Sequence, residues 1–134
     1  MHGDAESKFE PPARRDLWEL PRLKAVMILR VRYRRPRTHV VRGDVVRRRE
    51  GVEIRVETDA EIPVRALSPA LHVGPAEIAE NERTSPNSHR FFVLDEDALR
   101  PGDPITLGWV GHPARDADSR FRYEPPSGVT REPG

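Results

Sequence analysis

The chain has 134 residues, 34% charged and 36% hydrophobic, with a formal net charge of +1 and no cysteine. That length fits one domain with a substantial core. The absence of cysteine excludes disulfides, iron–sulfur ligation and thiolate zinc sites, and the longest apolar run, residues 25–29, is too short to span a bilayer.

Residues 1–21 combine prolines, acids and one apolar patch, Leu17-Trp18-Glu19-Leu20. They read as an extension, largely disordered, in which Leu17, Trp18 and Leu20 form a short anchor for a partner or for the domain. No apolar stretch of signal-peptide length occurs there, so a soluble cytoplasmic protein is expected. Residues 22–112 carry the strand-like sequence and are expected to form the domain. Residues 113–134 again lack a sustained apolar run and are expected to be a flexible tail.

Along residues 24–34, Ala25, Met27, Leu29, Val31 and Tyr33 alternate with Arg30, Arg32 and Arg34 after Val26 and Ile28. Period two predicts a strand whose odd positions face the core. Pro36 ends it or marks an edge. A second strand covers residues 39–41 and 44–48, with Gly43 as a bulge or break. Glu50-Gly51 reads as a tight reversal into Val52, Ile54 and Val56, which alternate with Glu53, Arg55 and Glu57. Pro63 and Pro69 argue for a bent strand, or two short ones split near Ser68-Pro69, between 62 and 73. Gly74-Pro75 is a turn, and Ala76 and Ile78 open the next strand. Residues 84–88 read Thr-Ser-Pro-Asn-Ser, an exposed loop. In residues 89–94, Phe91 and Val93 lie on one face, Phe92 and Leu94 on the other, so this strand is central. Asp95 caps a single helical turn, and Ile105, Leu107 and Trp109 mark the last core strand.

Seven or eight short strands at about ten-residue spacing, with no long helix, predict an all-β, two-layer sandwich or small barrel. An immunoglobulin-like sandwich is the preferred form, because the turn at residues 99–103 before the terminal core strand resembles connections in many such modules.

No catalytic constellation emerges. The five histidines show no metal-ligand spacing, and His72, between Leu71 and Val73, reads as a hydrogen-bonded structural residue. Asp95, Glu96, Asp97 and Asp103 form the densest acid set, explained by capping and solvation. The serines fall in loop-like sequence without a glycine elbow, and no phosphate loop is present. The tripeptide Arg42-Gly43-Asp44 matches an integrin-recognition motif at a length where chance matches are common. The expectation is therefore a non-catalytic protein with no metal and no cofactor.

Charge is the informative feature. From Arg22 to Arg49 there are eleven basic residues and one acid, Asp44, a local charge of +10. Arg30, Arg32, Arg34, Arg35, Arg37, Arg42, Arg47 and Arg48 are expected to form one basic sheet surface. Its partner is an acidic protein surface or a larger assembly. The alternative is non-specific nucleic acid, held through phosphates without base readout. No membrane partner is expected.

Overall fold

The computed structural model describes residues 20–64, 68–114 and 119–132. The described residues are all-β, with eight strands: β1 (Leu23–Val41), β2 (Asp44–Thr58), β3 (Pro69–Val73), β4 (Ala76–Ile78), β5 (Asn81–Ser85), β6 (Ser88–Val93), β7 (Ile105–Trp109) and β8 (Val129–Arg131). One 3-10 turn, Glu96–Ala98, precedes β7. A five-stranded sheet runs β5-β6-β2-β1-β8 and a three-stranded sheet runs β4-β3-β7. Among the described strands only β8 pairs in parallel; it lies beside β1, with Arg30 opposite Val129.

The two sheets share one apolar core. Val52, Ile54, Val56, Phe91 and Val93 of the larger sheet pack with Leu71, Val73, Ile78, Ile105 and Leu107 of the smaller one, joined by Ile62, Leu99 and Tyr123. Their period-two spacing places every second side chain of each strand on this face. The expected centrality of β6 is observed, since it lies between β5 and β2. Leu20 packs against the core at its margin. Leu17 and Trp18 lie outside the described residues, as does most of the expected N-terminal extension.

Three features depart from the sequence reading. First, β1 presents Val26 and Ile28 to the core, while Met27 is 57% exposed. Val31 and Tyr33 are buried, but on the opposite face of the sheet, beneath a folded-over hairpin. Second, the reversal lies at Arg42-Gly43, both with positive φ (52° and 84°), and not at Glu50-Gly51. A two-residue loop of that kind matches the twist of its strands. Gly51 lies inside β2, where an added Cβ would fall 3.0 Å from the Tyr33 hydroxyl. Its glycine answers to packing and not to a turn. Third, the segment expected to be a tail from 113 onward contributes β8 and buries Tyr123. The Tyr123 and Gly102–Asp103 backbones are bonded to each other, tying residues 121–123 alongside the start of β7.

Candidate interaction site

β1 and β2 are far longer than their neighbours, 19 and 15 residues. Their pairing is irregular between Arg32 and Arg37: residues 33–36 of β1 are accommodated against Arg49 of β2. Such an irregularity bends and twists a hairpin. Beyond it, residues 34–49 form an arm that turns across the outer face of the larger sheet.

Contacts along the arm fix its path. Near the base, the Arg37 guanidinium sits 3.8 Å from the Phe92 ring centroid. Midway, buried His39 places Nδ1 3.1 Å from Glu80 Oε1. At the tip, the Arg42 guanidinium donates to Asp95 Oδ2 at 2.6 Å. The integrin-like tripeptide is therefore a hairpin turn with its arginine engaged. Asp95 makes no capping hydrogen bond to the 3-10 turn; of the local acid set, Asp95 and Glu96 partner Arg42 and Arg30 instead.

Beneath the arm base lies a buried polar cluster that the periodicity did not reveal. Glu53 is fully buried and accepts Arg90 Nε at 3.0 Å and Arg90 Nη2 at 2.9 Å. Arg55 Nε adds a third bond at 3.3 Å. Arg90 also faces Phe92 from 5.4 Å, so the ring lies near two guanidiniums, those of Arg37 and Arg90. Burial, followed by the Glu53 charge, raises the Tyr33 hydroxyl pKa above its ordinary value and keeps it protonated. Removing one member of such a buried pair typically costs about 3–5 kcal/mol, because the other charge is stranded. This cluster is structural: it stitches β6, β2 and the arm base.

The expected basic surface divides into two sets. Arg30 makes a bidentate pair with Glu96 (3.1 and 3.0 Å), Arg32 pairs with Glu50, and Arg42 with Asp95. Arg37 is spent on Phe92. These four do not form a free cationic face. The guanidiniums of Arg34, Arg35, Arg47, Arg48 and Arg49 have no acidic partner among the described residues, although the Arg34 backbone N–H donates to Glu132 Oε2 at 3.3 Å.

Arm register sorts the remaining side chains. Arg37↔Arg48 and His39↔Val46 are inner-face pairs, buried or half-buried. Thr38↔Arg47 and Val40↔Val45 are outer-face pairs, and all four residues are exposed. Val40 and Val45 are 62% and 73% exposed. The outer face is thus an apolar cross-strand pair beside Arg47 and Arg49, with Arg34 and Arg35 exposed at the bend. The valines were legible as residues flanking Arg-Gly, but their meaning depended on the turn being there.

Comparison with protein families, curated proteins and solved structures finds no match.

The histidines do not converge. His72 Nε2 lies 3.1 Å from the Trp109 carbonyl oxygen, the structural role expected of it. His39 faces Glu80 on the outer side of the sheet, whereas His89 stacks on Phe91 in register with the core-facing Val56. Among the described residues no group of histidines and acids is arranged to hold a metal ion, and no helix is long and apolar enough to cross a membrane.

Proposed function

We propose that this protein is a non-catalytic, cytoplasmic interaction module, an immunoglobulin-like sandwich in the broad sense, that docks an acidic protein surface on the outer face of its arm. One observation carries the reading: the exposed Val40–Val45 pair adjoins arginines that lack acidic partners, while Arg30, Arg32 and Arg42 are each neutralised. Exposed β-branched side chains give a protein partner something to desolvate, and the surrounding guanidiniums select acidic neighbours. A nucleic-acid backbone would use the arginines but gain little from the valines. A two-stranded ribbon can enter a major groove. Here the ribbon's inner face is occupied by the sheet, through Arg37, His39 and Arg42, which favours a one-sided protein contact.

The test is site-specific photocrosslinking in the native host from position 45, with position 84 on β5 as the exposed control. The reading expects one stoichiometric protein adduct from Val45, resistant to nuclease and lost in Arg47→Glu/Arg49→Glu. Equal adducts from Thr84, or adducts removed by nuclease, contradict it.

A further inference from the structure

The lower half of β1 has an open edge. β8 covers only Arg30 to Arg32. Between residues 25 and 32 the pairing of β1 with β2 is regular, so successive residues alternate in the edge toward which their backbone groups point. The direction is fixed at both ends. The Arg32 carbonyl accepts the Glu132 N–H on the β8 side, and the Lys24 carbonyl accepts Arg120 Nη2 at 3.2 Å on the same side. Val26 and Ile28, in phase with Arg32, therefore aim their N–H and C=O groups away from β2. Among the described residues no strand or loop pairs with them.

These groups open into a cleft of about 510 Å³. One wall is Val26, Ile28 and Leu29; the other is the 121–130 segment, including Phe121, Pro125 and Pro126. The two prolines carry no N–H and cannot complete the ladder. The cleft thus presents backbone donors and acceptors at strand spacing between apolar walls.

We propose that this cleft binds an extended segment of a partner polypeptide, added as a strand to β1 in line with β8. Alternating backbone groups specify a peptide main chain, and the apolar walls take every second side chain of the guest. Nearby, Lys24 is paired with Glu57, so Arg120, which donates to the Lys24 carbonyl, and the lining Arg122 stand against the lining Glu124, and a guest with an acidic residue beside its apolar ones is favoured. The site lies on β1 away from the arm and is independent of it. Edge pairing of this kind takes affinity from main-chain bonds and specificity from alternate side chains.

A library of random ten-residue peptides displayed on phage, selected against the full chain, tests the proposal. Two variants serve as controls. In Val26→Pro the lost N–H faces the cleft and not β2, a position where an edge strand accepts proline. In Gly128→Trp the new side chain starts in open space on the cleft wall, where an added Cβ meets nothing within 4 Å. Enriched peptides should share alternating apolar positions and bind the wild-type chain about tenfold or more tightly than either variant. A bound peptide should slow exchange of the Val26 and Ile28 amides by about tenfold or more. If Val26→Pro does not fold, Gly128→Trp gives the same reading. No enrichment over background overturns the proposal, as does equal binding to Gly128→Trp. A concentration-dependent dimer in sedimentation that Gly128→Trp abolishes also overturns it, by assigning the edge to a second copy.

Discussion

At the scale of single residues, charge in this chain is defined by neighbours more than by composition. Arg90 and Arg47 are the same side chain, yet one lies against the fully buried Glu53 and the other faces solvent with no acid near it. The same contrast applies to histidine. His89 is buried, its Nδ1 has no partner, and its pKa is lowered, first by burial and then by the Arg83 guanidinium. The folded state therefore holds it neutral. Between its folded value and the ordinary value near 6.5, the unfolded chain binds more protons, so stability rises with pH. That contribution is complete above about pH 6.5 and falls away as acid carries the pH down through the folded value. His89→Phe should keep the stacking on Phe91 and flatten the dependence. Urea unfolding of both proteins at about pH 5 and 7.5 checks it: the wild-type chain should lose more stability on acidification than the variant, and equal losses would assign the effect elsewhere.

At the scale of elements, the strands were legible because period two is a strong signal, and β2 and β6 show their core faces as the alternation implies. β1 was legible as a strand but not in its facing. Its odd residues Val31 and Tyr33 are dry because the arm covers the sheet's outer side, and alternation alone does not report which of two faces is covered. The turn was misplaced for a related reason. Both Gly43 and Gly51 suit a reversal, and only the packing of Tyr33 against Gly51 explains the second one. The arginine run was legible as charge, while its neutralisation by Glu96, Glu50 and Asp95 required acids distant in sequence from Arg30 and Arg42 to meet them. The arm itself carries a prediction. Its inner contacts are few, namely Phe92, Glu80 and Asp95, so it should open separately from the core. Phe92→Ala/Asp95→Asn should raise hydrogen exchange across residues 38–46 while residues 52–56 stay protected. Matched acceleration in both stretches would show that arm and core form one cooperative unit.

At the scale of the whole molecule, the C-terminal segment bridges the two sheets: Phe121 and Tyr123 border β7, and β8 joins β1. Ending the chain at residue 118 removes a buried tyrosine together with a strand. A loss of roughly 3–5 kcal/mol is expected by analogy with deletion of buried aromatic side chains. Urea denaturation measures it; an unchanged midpoint and slope would mark the segment as an appendage. Composition concealed this role, because proline and charge at a chain end resemble a tail until the aromatic spacing is set against β7. The partnership of the first strand with the last also has a consequence for biogenesis. Synthesis delivers domains from the N-terminus, and Arg30 must wait for Val129 before that ladder can form. Throughout translation β1 can join β2, and β2 can then take β6 on its far side, but the other border of β1 stays bare and open to neighbouring nascent chains. Arg30, Arg32 and Arg34 put three charges on that strand during the wait, a composition that opposes edge-to-edge pairing.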